Sequence, residues 1–164
     1  MYPIIIDNFL KDPDAIRNYA LNIQYREPNL SEEGWLGYRS FMHCDNLKKT
    51  LIIKVKKYFE NINNLDYYFH YSLIETKQTS PYNFEKYKIH KDSSYKFAAV
   101  IYLHPQPPEN TGLSFYTDNF NFIKSVENVY NRFVFYPATI FHAPTDLFGH
   151  NKETGRLTLT IFCI

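Results

Sequence analysis

Cysteine is nearly missing from this 164-residue chain: there are two, Cys44 and Cys163, far apart and with no motif between them. They read as free thiols in a reducing compartment, the cytoplasm, rather than as a disulfide framework. Glycine is scarce at five residues, and none gathers into a loop that would cradle phosphate. No plausible Ser/His/Asp or Cys/His set is present, so nucleophilic catalysis has no support. The longest apolar runs fall far short of a membrane span. The start, Met1-Tyr2-Pro3-Ile4-Ile5-Ile6-Asp7, has neither a basic opening nor a long apolar core, and no signal peptide is expected. A surplus of one charge is also missing. The net charge is +1 with 21% charged residues, which argues against nucleic acid or another polyanion as partner.

What the chain has in plenty is aromatic residues. Fifteen Tyr and fourteen Phe, with a hydrophobic fraction of 45%, exclude a disordered chain and favour strands. The length fits one domain, residues 1–164, with a sizeable core. Pro3 to Ile6 reads as a short strand. Asp12-Pro13-Asp14 is a helix start: Asp12 can cap, Pro13 suits the first turn and Asp14 favours the positive end. Ile16, Tyr19, Ala20 and Ile23 continue it at helical spacing. Residues 24–45 show no period and predict a lid or packed loop. A second helix is expected from about Asn46 to Phe59, with Leu47, Leu51 and Val55 inward and a solvated lysine face. Strands are expected at about 67–77, 83–90, 97–103, 112–117, 132–136, 138–143 and 155–163. Helices first and strands after predict a mainly β jelly roll, the double-stranded β-helix, with the helices backing one sheet. Arg156 to Phe162 alternates strictly: in a simple sandwich Arg156, Thr158 and Thr160 would face solvent, and in a barrel with a ligand cavity they would face inward, with Leu157, Leu159 and Ile161 under the helices.

One short stretch bears on chemistry. In Tyr87-Lys88-Ile89-His90-Lys91-Asp92, a histidine and an aspartate stand two apart. On an extended backbone they project to one face and can reach one ion. Imidazole nitrogen and carboxylate oxygen suit Fe(II), and a second histidine would complete a facial triad with coordination positions left open. A bare His-x-Asp is common by chance, so the pair carries weight only with a partner. His142, after the strand-like Arg132 to Tyr136, is the favoured partner; His150, in a loop-like stretch beside Gly149, competes for the role.

Across residues 84 to 162 these features resemble the 2-oxoglutarate/Fe(II)-dependent dioxygenase superfamily, in its prolyl-4-hydroxylase-like branch. Tyr87 to Asp92 resembles that family's Tyr-x-x-His-x-Asp. Val100-Ile101-Tyr102-Leu103-His104 resembles its next strand, with His104 where asparagine is usual. Thr111-Gly112-Leu113-Ser114-Phe115 resembles its double-glycine turn, reduced to one glycine. Phe135-Tyr136-Pro137 with Phe141-His142 resembles the strand pair of the distal histidine. Gly155-Arg156-Leu157-Thr158 resembles the last strand with its basic residue.

The resemblance implies Fe(II) held by His90, Asp92 and His142, with 2-oxoglutarate and dioxygen as co-substrates. The reaction it implies couples decarboxylation of 2-oxoglutarate to hydroxylation of an aliphatic C–H. Arg156 would hold the far carboxylate of 2-oxoglutarate in a bidentate pair, Thr158 would add a hydroxyl, and Tyr102 and Tyr87 would assist. Trp35 and Arg39 would lie over the mouth and contact the primary substrate. Two other readings stay open: a cupin-like metal protein without an oxoacid, which leaves Arg156 without purpose, and a non-catalytic interaction module, which would tolerate loss of His90, Asp92 and His142.

Overall fold

The aromatic-rich segments pair into two antiparallel sheets, with two helices early in the chain. A computed structural model describes residues 3–27, 37–41, 44–75 and 89–164. In chain order the elements are β1 (Ile4–Ile6), α1 (Pro13–Asn22), β2 (Tyr25–Arg26), β3 (Tyr38–Ser40), α2 (Asp45–Lys56), β4 (Leu65–Ser72), β5 (Phe97–Tyr102), β6 (Leu113–Tyr116), β7 (Phe122–Val126), β8 (Phe133–Pro137), β9 (Phe141–Pro144) and β10 (Arg156–Cys163). The large sheet runs β1-β8-β5-β10-β4-β3-β2 and the small one β7-β6-β9. This is the mainly β, helix-backed jelly roll that the sequence predicts. No helix among the described residues is long and apolar enough to cross a membrane.

Local chemistry sets the helix ends. The Asp12 side chain accepts from Ala15 N at 3.0 Å and caps α1, with Pro13 in the first turn. Cys44 gives α2 no side-chain cap. The buried Tyr67 hydroxyl of β4 takes that place: it accepts from Cys44 N and donates to Cys44 O at 3.0 Å, binding the start of α2 to the sheet.

The alternation of β10 sorts the interior into two layers. Leu157, Leu159, Ile161 and Cys163 pack with Ala20, Leu47, Leu51 and Val55 of the helices. Phe162 faces the other way, among Ala98, Val100, Tyr102, Phe115 and Tyr136, between the two sheets. Arg156 and Thr158 share that second face and are buried, so the polar side of β10 is interior.

Four expectations need correction. The stretch 24–45 is not merely irregular: β2 and β3 form within it and extend the large sheet beyond β4. α2 ends at Lys56 and gives way to a turn before Phe59. The strand expected at 138–143 begins only at Phe141, because Ala138 to Ile140 turn the chain from the large sheet to the small one. β7 was not anticipated at all: it is an edge strand with Phe122 and Ile123 both exposed, so it carries no in–out pattern. Residues 83–88 of another expected strand lie outside the described residues.

Asn131 fastens the N-terminal segment to the sheet. Its buried amide accepts from Leu10 N at 2.8 Å and donates to Leu10 O at 2.9 Å, standing in for a β-bridge. Its φ of 61° is a conformation asparagine tolerates better than most residues. Asn131→Ala leaves both Leu10 groups unpaired and should cost about 2–4 kcal/mol. A chemical-denaturation midpoint that stays unchanged in this variant would refute the role.

Candidate metal centre

Two distant segments meet at the edge of the small sheet. His90 N donates to His142 O at 3.0 Å and His142 N donates to His90 O at 2.9 Å, an isolated antiparallel bridge. Residues directly opposite in such a pair project their side chains to the same face, and the two rings lie 4.5 Å apart. Asp92 N donates to Ala138 O at 2.8 Å, so the turn that leads to β9 also holds the aspartate. The three side chains converge: one ligand atom from each of His90, Asp92 and His142 lies within 4.8 Å of the others.

The protonation pattern of this set calls for a cation. His142 Nδ1 lies 2.9 Å from Ile140 O, which fixes the proton there and turns the Nε2 lone pair outward. That Nε2 faces Asp92 Oδ2 at 3.3 Å, and His90 Nε2 is 3.7 Å from Asp92 Oδ1. An imidazole nitrogen and a carboxylate oxygen at these distances share a cation, either a proton or a metal ion. The Asp92 and His142 side chains are 8% and 4% exposed, whereas His90 is 41% exposed and marks the open side. Burial works to raise the Asp92 carboxyl. The His142 contact and the charges of His142, His90 and Arg39 outweigh it and hold the group below the usual carboxylate range, ionised as a ligand must be.

Arg156 is buried on the face of β10 that looks between the sheets. It is 4% exposed, and its guanidinium donates to Thr111 O (3.0 Å) and Gly112 O (3.1 Å). Gly112 has to be glycine: a Cβ there would stand 1.8 Å from Val126 O, so no larger residue could bring this carbonyl to the arginine. No carboxylate pairs with Arg156 among the described residues. Burial lowers its pKa, opposed by Tyr102 and Tyr136. Tyr102 holds its ring centroid 5.5 Å from the Arg156 Cζ, and burial pushes its phenol up to about 12. Ser72 is directly opposite Arg156 on β4. The Tyr102 and Ser72 hydroxyls are buried and have no hydrogen-bond partner among the described residues. A buried cation beside two unsatisfied hydroxyls fits an anionic ligand such as a carboxylate.

Between the two ends runs one cross-strand row. Arg26, Arg39, His70, Thr158 and Tyr102 are successive partners in register across β2, β3, β4, β10 and β5. The Thr158 hydroxyl donates to His70 O at 3.3 Å. Arg39 and Asp92 line a common cavity of about 400 Å³. The structure thus brings Arg39 beside the triad and places Tyr102 and Thr158 near Arg156. Trp35 and Tyr87 lie outside the described residues. His150 instead pairs with Glu75 at the surface, and His104 packs edge-on against Phe148. Sequence reasoning missed Tyr136, which is buried 4.7 Å from the His142 ring, its phenol raised well above normal by burial and then by Asp92. β8 is buried on both faces, Val134 and Tyr136 between the sheets and Phe133 and Phe135 in the layer under the helices, so no alternation singled Tyr136 out. Ser72 carried no signal either.

A model of a family of unknown function, DUF6445, matches residues 117–163, the stretch from β7 to β10. No curated protein matches in sequence. Among solved structures, a Pseudomonas putida prolyl-4-hydroxylase is similar, with a TM-score of 0.64 and 15% identity over 98% of this chain and 91% of that one. An oxidoreductase of the 2OG-Fe(II) oxygenase family from Burkholderia pseudomallei gives 0.66 and 10%, over 98% and 83%. A viral collagen prolyl hydroxylase of Paramecium bursaria Chlorella virus-1, solved with 2OG, gives 0.58 and 13%, over 99% and 96%. The chain has the fold of the 2-oxoglutarate/Fe(II) oxygenases over nearly its whole length.

Equilibrium dialysis against Co(II) should find one ion per chain. Asp92→Ala and His142→Ala should each weaken binding by more than the roughly 10- to 100-fold that loss of an outer partner costs. Wild-type affinity in either variant would rule out this centre.

Proposed function

We propose that the chain is an Fe(II)- and 2-oxoglutarate-dependent oxygenase, formed by residues 1–164, that hydroxylates an aliphatic C–H of an amino-acid, peptide, protein or small-molecule substrate. The observation that carries this reading is a pair of buried polar clusters linked by Tyr136, which packs on the His142 ring and acts on the Arg156 charge. At one end, two imidazoles and a carboxylate converge from one side. At the other, a buried arginine has no carboxylate partner among the described residues. The first arrangement suits an open ferrous site and the second the far carboxylate of a dicarboxylic oxoacid.

The chain's own groups divide the labour. His90, Asp92 and His142 would hold the ion from one face and leave the opposite positions open. The hydrogen bond from His142 Nδ1 to Ile140 O keeps its Nε2 available as a ligand. Arg156 would take the oxoacid's far carboxylate, with the Tyr102 and Ser72 hydroxyls as further donors. When bound, iron, 2-oxoglutarate and dioxygen supply the oxidising chemistry, with succinate and carbon dioxide as by-products. Ala98, Val100, Leu113 and Phe115 line the space between the sheets and exclude water. Tyr136 packs on the His142 ring and limits its rotation. The two free cysteines fit a reducing compartment such as the cytoplasm.

Aerobic incubation with Fe(II), ascorbate and 2-oxoglutarate should yield slow, oxygen-dependent succinate even without a primary substrate. Arg156→Met replaces a buried ion with an apolar chain of similar size, a change that buried sites often accept without losing stability. It should raise the Kd for 2-oxoglutarate by about 30-fold or more and abolish succinate formation. Unchanged oxoacid affinity in a folded Arg156→Met protein would defeat the proposal.

A further inference from the structure

The two histidines of the triad stand opposite each other in an isolated antiparallel bridge. Successive side chains on extended backbone alternate between faces, so the adjoining pair, Lys91 and Phe141, falls on the opposite, outer face of the small sheet. The two meet there: Lys91 Nζ lies 4.3 Å from the Phe141 ring centroid. The outer row continues across the sheet, because Phe141 is the register partner of Tyr116, and Tyr116 of Phe122. The inner face of this pairing carries the ligands, and the outer face carries a cation on a ring.

The turn from β6 to β7, residues 117–121, reaches the same spot. Its Asp118 takes Lys91 Nζ at 2.8 Å, and its Phe120 ring lies 4.8 Å from that of Phe141. The turn braces itself: Thr117 N donates to Asn121 O and Phe120 N to Thr117 O, both at 2.9 Å, and Asn121 N donates to Thr117 Oγ1 at 3.1 Å. Phe120 is held at a φ of 60°, a conformation that glycine or asparagine adopts at less cost. The turn alone does not ask for an aromatic side chain there, whereas packing on Phe141 does. The Lys91 side chain is 30% exposed and that of Asp118 87%. An ion pair so open contributes little by itself; the ring under the ammonium adds a second attraction.

We infer that the β6–β7 turn is a clamp for the metal centre: Asp118 and Phe120 hold Lys91 and Phe141 together on the outer face, so that His90 and His142 keep the separation one ion needs on the inner face. The four are positioning residues, acting through the histidines next to them in sequence. Of the three ligands His90 is the most exposed, 41% against 8% for Asp92 and 4% for His142, and it gains most from support outside the hollow. The inference rests on the metal-centre reading and adds to it the element that fixes the spacing of its two imidazoles.

Amide hydrogen exchange in the metal-free full chain, together with Co(II) binding, tests this. Lys91→Gln removes the cation; Phe120→Gly removes the ring and suits the backbone of the turn better. Each should speed exchange of the His90 and His142 amides by about threefold to tenfold. The Leu159 and Ile161 amides of β10 and the melting temperature should keep their parent values. Each variant should also raise the Kd for Co(II) by a similar factor and shift its visible ligand-field band. Lys91→Arg keeps a cation for both the ring and the carboxylate and should show little of the loss seen with Lys91→Gln. Bridge amides as slow as the parent's in both variants, or exchange that quickens equally in β10, overturns the inference. So does a looser bridge with unchanged Co(II) affinity. A wild-type chain that binds no Co(II) removes the metal centre and the clamp with it, whereas one ion bound alike by wild type and both variants removes the clamp alone.

Discussion

Across 3.3 Å, Nε2 of His142 faces a carboxylate oxygen of Asp92, and the rest of the site is arranged around that contact. The histidine ring is oriented by its bond to Ile140 O, and its backbone by the bridge to His90. The Asp92 backbone is held by the bond from its own amide to Ala138 O. All of these anchors belong to the short passage by which the chain leaves the large sheet and enters the small one. The turn between β8 and β9 is therefore part of the site, because it sets where two of its three side chains can point. A cation shared by these groups, proton or metal ion, is what holds them at this distance.

The same logic of buried, unmet charge explains why the fold puts polar residues inside. In a sandwich closed by apolar faces, Arg156 would be expelled. Here the helices take the leucine face of β10, leaving its other face to look into the hollow between the sheets. The row from Arg26 through Arg39, His70 and Thr158 to Tyr102 crosses five strands in register. It supplies cations near the mouth and hydroxyls toward the closed end, with Arg156 one alternation step away on the same face. Gly112 lets the backbone come close enough to give the arginine two carbonyls. Two carbonyl dipoles ease the burial of a guanidinium but do not neutralise it.

Much of this was legible in the residues because it depends on local pattern. The Asp12-Pro13 start of α1, the split faces of β10 and the common face of His90 and Asp92 follow from capping preference and from strand alternation. The nearness of His142 was reached through the resemblance and through chain order, not through any local pattern of its own. What escaped was non-local. The edge strand β7 exposes both Phe122 and Ile123 and buries only Val126 at its end, so it shows no alternation. The strands β2 and β3 are too short to show a period, and their facing arginines exist only through pairing. The hydroxyl of Ser72 matters only because its register partner is Arg156. Tyr136 sat in a segment already quoted for its strand character, and only its packing against His142 gives it a place in the site.

The central claim is that one hollow takes a metal ion at His90, Asp92 and His142 and a dicarboxylic oxoacid that reaches from it to Arg156. Anaerobic titration of Fe(II) and then 2-oxoglutarate into the full chain, followed by visible absorption, tests both halves together. A metal-to-ligand charge-transfer band should grow to one equivalent of each and should be missing in His142→Ala. Folded, iron-loaded wild-type protein that shows no band at saturating 2-oxoglutarate would contradict the account.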